Sequence, residues 1–414
     1  MNMDADVIVI GGGAAGMLAA RRAAERGAHV TLLEKNDRLG MKILISGGGK
    51  CNLTHDGPME DVRAKFRPNE ARFLKPSFYR FTNQDFLRIL HDRGMETYTR
   101  PDGRIFPVEP ANAKDVVALL TRYVEEAGVQ VRYGASVTGL TANEGRIQSV
   151  QIGNETLTAS RVVISTGGSS YPATGTTGDG WPWLTALGHS LVPLRAALAP
   201  LYLAEAAPQW SGVALRDTVL RARAGGGGKE FMRWQGDLLF THKGVSGPTA
   251  LGVSREVAER EAVSTVEADL APGLTWEELQ AKLRQQAQDN PRTTVGALAG
   301  PFVPARLLEP LLASAGIPAE TRGAYLTAKA LNKLVSTLKA WPLGTVRHVP
   351  LERGEVVAGG VTLDEVEMGT MRSRLIDGLL LCGEVLDIAG PVGGYNLQAA
   401  WSTGWVAGEA AAQS

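Results

Sequence analysis

The chain opens on an apolar run, Ala5-Asp6-Val7-Ile8-Val9-Ile10, and a short run of this kind that ends in glycine predicts a buried strand. Residues 11–16, Gly-Gly-Gly-Ala-Ala-Gly, follow without a spacer and lead into small and apolar residues at helical spacing. A second run over residues 28–33 predicts another strand, which stops at Glu34. Further along, apolar residues at helical spacing predict helices over 83–94 and 113–128, the latter through Val116, Val117, Leu119, Leu120, Tyr123 and Val124. Strands are predicted over 129–133, 136–142, 147–152 and 161–165, which makes an α/β pattern with an antiparallel addition.

The pattern changes near Val192. Short β-like pieces broken by glycine run to about Asp269, and residues 225–228, four consecutive glycines, mark a hairpin tip or a mobile loop. Helical spacing then returns over 276–287, behind Thr275 as an N-cap, and again over 305–315 and 320–339, with Pro304 and Pro318 as punctuation. Strand character reappears over 343–357, then an apolar strand over 378–382 ends at Gly383-Glu384, and a small-residue helix is predicted from Leu397 to Ala412. The expected organisation is an α/β domain over 1–191 and 358–414, interrupted by a β part (192–272, with a return strand over 342–357) and a helical part (273–341).

The first turn carries chemistry. In G-x-G-x-x-G, Gly11 permits the tight turn, Gly13 lets the backbone approach a pyrophosphate and Gly16 lets the helix pack on the sheet, while the helix N-terminus offers unpaired N–H groups. Glu34 stands where an acid accepts adenosine ribose hydroxyls. The motif alone leaves NAD and FAD open. Two further strand ends, at Thr166-Gly167 and at Gly383-Glu384, aim at the same crevice, and a ligand lying across several strand ends favours FAD.

Composition narrows the classes. At 414 residues two or more domains are expected, and 43 basic against 43 acidic residues give no field favouring nucleic acid or an anionic membrane. Two cysteines without a C-x-x-C exclude a disulfide framework or zinc site, and no signal peptide or membrane-length apolar run is evident, so the default is the cytoplasm.

Five longer phrases, KILISGGGKCNLT (42–54), GRIFP (103–107), TGGSSYP (166–172), FTHKGVSGP (240–248) and GEVLDIAGPVGGYNLQ (383–398), resemble the aminoacetone-oxidase-like family of bacterial FAD-dependent flavoproteins. The resemblance implies a Rossmann-like FAD domain of glutathione-reductase type, split by a β-barrel-like and helical insertion, with one noncovalent FAD. It places Gly11, Gly13 and Gly16 at the pyrophosphate and Glu34 at the adenosine ribose, with Ala14, Ala15 and Lys35 also among the cofactor-binding residues. Lys42, Ser46, Gly47, Gly48, Gly49, Cys51 and Asn52 would run toward the flavin, and Val137, Thr166 and Gly167 would line adenosine. Gly383 and Glu384 would meet the ribityl chain, and Gly394, Asn396 and Leu397 the flavin pyrimidine edge.

Candidates for the substrate side are Tyr171, Arg104, His242 and Tyr395. The leading expectation is hydride exchange between a small amine and the flavin, with oxygen or another acceptor closing the cycle. Alternatives are a C=C reductase that takes electrons from a visiting NAD(P)H, an FAD-bound RNA-modification or binding protein, which the zero net charge disfavours, and a plain NAD-dependent dehydrogenase. The expected partners are therefore a small molecule and an electron acceptor, with neither nucleic acid nor membrane.

Overall fold

The computed structural model describes residues 3–260 and 262–413. The chain divides into two compact units, Met1–Arg195 with Glu355–Ser414, and Ala196–Gly354.

In the first unit β1 (Ala5–Ile10), α1 (Ala14–Glu25) and β2 (Val30–Leu33) form the opening βαβ element. Next come the short β3 (Thr54–His55), α2 (Met59–Arg63), α3 (Pro68–Arg80), α4 (Asn83–His91), β4 (Thr97–Thr99), β5 (Arg104–Pro107) and α5 (Ala113–Glu125). The strands β6 (Gln130–Arg132), β7 (Val137–Asn143), β8 (Arg146–Ile152) and β9 (Glu155–Ile164) then lead to α6 (Gly180–Ala186) and β10 (Leu191–Ala197). Helix starts follow local chemistry: Thr82 with Asp85, and Asn112 with Asp115, form capping boxes for α4 and α5.

The second unit is a closed barrel in the order β11-β14-β13-β12-β15-β16 with a helical layer. Its strands are β11 (Leu201–Leu203), β12 (Ala214–Ala224), β13 (Glu230–Thr241), β14 (Gly244–Ser246), β15 (Ser264–Asp269) and β16 (Trp341–His348). The four-glycine run lies at the tip of the β12–β13 hairpin. The helices are α7 (Pro248–Glu259), α8 (Trp276–Asp289), α9 (Val295–Ala299), α10 (Ala305–Ala315) and α11 (Ala328–Lys339). Thr275 caps α8 as expected, accepting from Glu278 N. The helix expected from residue 320 starts only at Ala328, because Thr327 caps it there and Arg322 bridges to Thr294 instead.

The first unit then resumes with β17 (Val356–Val361), which pairs with β10, and with β18 (Leu379–Leu381) and α12 (Tyr395–Ala411). The main sheet has seven strands in the order β6-β2-β1-β9-β8-β7, with β18 also on β9. Strand β9 is its hub: the first half pairs antiparallel with β8, and the second runs parallel between β1 and β18. Both faces there are covered, which is why Val162, Val163, Ile164 and β18 are continuously buried instead of alternating. Among the described residues no single helix is long and apolar enough to cross a membrane.

Helices α1 and α12 touch backbone to backbone. A Cβ at Gly404 would stand 2.2 Å from Ala15 O, and one at Gly408 would stand 2.2 Å from Ala19 O, so glycines on one helix face alanines four apart on the other. Stacked pairs flank this contact, Phe86 with Trp401 at 4.3 Å and Phe81 with Trp405 at 4.5 Å, and Arg22 of α1 lies over the Trp405 ring at 4.5 Å. Helix propensity alone makes Gly404→Ala stabilising by roughly 1 kcal/mol. The contact predicts the opposite sign, a net loss of about 1–3 kcal/mol from overpacking, in chemical denaturation; a more stable variant would show that the helices do not meet this closely.

Candidate functional site

The glycines of the first turn do different things. Gly11 lies at φ +101°, and a Cβ there would come within 2.6 Å of Ser165 O; at Gly16 a Cβ would overlap Gly11 O at 1.9 Å. Both are demanded by the fold. Gly13 is not: its φ is an ordinary −79° and a Cβ would meet nothing within 4 Å. It is the N-cap of α1, with no side-chain cap and no acid in the first turn. The N–H groups of Ala14, Ala15 and Gly16 therefore begin a helix without a protein acceptor, beside open space. That is the condition a pyrophosphate needs.

Glu34 closes this turn from the end of β2. It is buried, and its Oε2 accepts from Gly12 N at 2.8 Å while Oε1 accepts from Asn36 N at 2.8 Å and Asn36 Nδ2 at 2.7 Å. One acceptor direction on Oε2 is left for a ribose hydroxyl. Lys35 is held by Asp179 and by Thr177 Oγ1. Gly167 is left-handed at φ +74°, and the hydroxyls of Thr166 and Ser169 beside it are buried without a partner, as an absent ligand would leave them. Val137 is half-buried at the start of β7, opposite Ile152.

A second constellation ties three motif phrases together. Lys42 Nζ donates to Ser170 Oγ at 2.8 Å and to Glu384 Oε2 at 2.7 Å, while Glu384 Oε1 accepts from Val357 N at 2.8 Å. Gly383, at φ +73°, precedes that acid and its Cβ position lies 2.9 Å from Ala15 Cβ. Sequence reasoning had no signal for Glu355, whose backbone O accepts from Ser170 Oγ at 3.5 Å. Its carboxyl, although the residue is exposed, is raised above the ordinary glutamate range by desolvation, which outweighs the pull of Lys42 and Arg104.

The loop after Lys42 bends through a left-handed run, Gly47, Gly48, Gly49 and Cys51, and Gly48 has open space where a Cβ would go. Ser46 Oγ donates to Ile43 O at 2.8 Å, so it stabilises its own turn. Burial pushes the Cys51 thiol up to about 12, which keeps it protonated and unreactive. The loop is then latched onto α12: Trp401 Nε1 donates to Leu53 O at 3.0 Å and Thr54 Oγ1 to Gln398 Oε1 at 2.6 Å. With its amide turned to satisfy both neighbours, Asn52 accepts from Gly394 N at 2.9 Å and donates to Thr54 O at 3.2 Å. Helix α12 begins at Gly394, φ +90°, without a side-chain cap or an acid in its first turn. The Asn396 side chain closes the loop before it, bonding Gly390 N at 2.7 Å and Gly390 O at 2.9 Å. The backbone N–H groups of Asn396 and Leu397 are thus left at an uncapped helix start.

Of the four substrate-side candidates, Tyr171, Arg104 and Tyr395 belong to the first unit and His242 to the second. Tyr395 is buried, its phenol pushed up to about 12 by burial and then by Asp102, and it stacks on His55 with ring centroids 4.5 Å apart. Arg104 pairs with Asp102 at 2.6 Å and lies opposite His55 in the β3–β5 register. Tyr171 adopts a left-handed backbone, φ +52°, beside Ser170. His242 is exposed at the β13–β14 turn of the barrel unit. The residue the phrases missed is His55, one position beyond KILISGGGKCNLT; its only sequence signal was that adjacency.

A family model of the HI0933-like protein Rossmann domain matches residues 5–410. The chain belongs to the HI0933-like family. It is an FAD-dependent oxidoreductase, and the two uncapped helix starts, the open Gly13 position and the orphaned Thr166 and Ser169 hydroxyls fit an FAD. The ribosomal RNA dihydrouridine synthase of Escherichia coli is 31% identical over 407 residues, covering 97% of this chain and 96% of the relative. The 3-dehydro-bile acid Δ(4,6)-reductase of Clostridium scindens is 29% identical over 411 residues, covering 98% of each. Among solved structures, the 3-ketosteroid Δ1-dehydrogenase of Sterolibacterium denitrificans superposes with a TM-score of 0.55 at 15% identity, covering 99% of each chain, a likeness of fold.

The contrast between the glycines is testable. Gly13→Ala is expected to cost the FAD-free protein no more than about 1 kcal/mol, the size of an N-cap effect, while FAD retention through gel filtration falls sharply. Gly16→Ala should instead fail to fold stably; equal stability losses at both positions would contradict the assignment of Gly13 to the ligand.

Proposed function

We propose that this flavoenzyme saturates a carbon–carbon double bond conjugated to a carbonyl, with the uracil ring of an RNA as its first candidate substrate. The observation that carries the reading is that two relatives matched over almost the whole chain are named a ribosomal RNA dihydrouridine synthase and a 3-dehydro-bile acid Δ(4,6)-reductase, names that both speak of reducing a carbon–carbon double bond. FAD, when bound, supplies the two-electron chemistry, and a nicotinamide dinucleotide is the proposed electron donor. The chain's own residues then have defined tasks. The N–H groups of Asn396 and Leu397 favour negative charge on the ring edge they face. Lys42 and Glu384 fix the polyol region as an ion pair. Tyr395 keeps its proton at every working pH, so its phenol is available as a hydrogen-bond donor to a carbonyl.

For an RNA substrate the local charge matters more than the net charge of zero. Lys65, Arg72, Lys75 and Arg80 are exposed on and beside α3, together with Tyr79, and such a group supports phosphate contact and stacking. The cytoplasm is the compartment proposed for this reaction. The finer reading of the motif phrases, oxidation of a small amine such as aminoacetone with release of peroxide, rests on the resemblance of those phrases and is the competing proposal.

One anaerobic experiment separates them. NADH or NADPH should bleach the flavin band, and uridine-containing RNA should restore it with formation of dihydrouridine detectable by mass spectrometry. Bleaching by aminoacetone or amino acids, with peroxide on admitting air and no reoxidation by RNA, would replace the reductase reading with the oxidase one.

A further inference from the structure

The imidazole of His55 is held more deliberately than a surface histidine requires. Its ring stacks on Tyr395 at an interplanar angle of 20°, and its backbone carbonyl accepts from Asn83 Nδ2 at 2.8 Å. Its Nδ1 lies 2.8 Å from Asp56 O. A carbonyl oxygen only accepts, so Nδ1 carries hydrogen; Nε2 is then a lone pair in the neutral ring and an N–H in the cation.

Two glycines put no side chain against this edge of the ring. Gly103, left-handed at φ +80°, would place a Cβ 2.2 Å from Cε1 and 2.7 Å from Nε2. Gly393 would place one 2.6 Å from the Tyr395 ring and 3.3 Å from His55 Cδ2. Both belong to motif phrases, and Nε2 makes no hydrogen bond among the described residues. The charged and titratable groups around the ring are Arg104, its register partner on β5, with Asp102 paired to it, Tyr395 on α12, and Asp56, the residue after β3. The same strand is latched to α12 through Thr54 and Gln398, at the helix start proposed to face the flavin.

We propose that His55 Nε2 is the proton donor of the reaction, an assignment that rests on the reductase reading. The substrate π bond breaks as one carbon receives a hydride equivalent drawn from reduced FAD, and the other carbon takes the proton from Nε2. The imidazolium becomes neutral imidazole and regains its proton from solvent; the electrons come from the nicotinamide donor.

The test uses the FAD-loaded protein labelled with 15N-histidine. Reducing the flavin places negative charge near the ring, so at a fixed pH the His55 ring 15N signals should move toward the imidazolium position, while those of exposed His29 stay where they were. A His55 titration indifferent to the flavin's redox state would overturn the proposal. In single turnover with uridine-containing RNA, His55→Gln should slow substrate reduction by about 10²–10⁴-fold and abolish the fall in rate as pH rises through the imidazole pKa, with FAD content unchanged; His29→Gln is the control. Wild-type kinetics and pH profile in His55→Gln would also overturn it. If the wild type does not reduce uridine at all, the reductase reading fails, and the redox-linked titration still decides whether His55 serves the flavin.

Discussion

The contact on which the site depends is the direct approach of α1 and α12. Gly404 and Gly408 remove the side chains that would separate the helices, and Ala15 and Ala19 supply the facing surface. Both helices start without a side-chain cap, at Gly13 and at Gly394. Because the helices are locked at backbone distance, their two positive ends are fixed relative to each other. One can serve a pyrophosphate and the other a flavin ring, so the fold itself sets the spacing of two charge-stabilising elements.

Around that pair the structure separates residues required for folding from residues whose form makes sense only with a ligand. Gly11, Gly16 and Gly404 are glycine because protein atoms occupy the space of a side chain. Gly13 and Gly48 are glycine beside open space. The same division applies to polar groups. Ser46 and the Asn396 side chain stabilise their own turns, whereas the hydroxyls of Thr166 and Ser169 are buried and unanswered. The proposed FAD, lying across the ends of β1, β9 and β18 and along the loop after Lys42, would account for the second kind in both cases.

What was legible in the sequence was local. The strand, glycine turn and helix at the start, the Thr275 cap and the helix over Ala305–Ala315 each depend on residues a few positions apart. Helices α3 and α7 were not visible: α3 carries Pro76 inside, which interrupts the apolar period, and α7 follows directly on the short β14 in a stretch of β-like pieces broken by glycine. The Lys42–Glu384 pair and the His55–Tyr395 stack join segments from opposite ends of the chain, so no spacing rule reaches them. The motif phrases marked these segments as chemically charged without saying which side chains meet.

The proposed chemistry depends on α12 presenting its N-terminus to the flavin pyrimidine edge. The direct measurement is the ionisation of reduced FAD in the protein, followed by absorbance after anaerobic photoreduction across the pH range the protein tolerates. The geometry predicts that the reduced ring stays anionic at the lowest accessible pH, where free reduced flavin is neutral. A reduced flavin that takes up its proton at the same pH in the protein as in solution would contradict it.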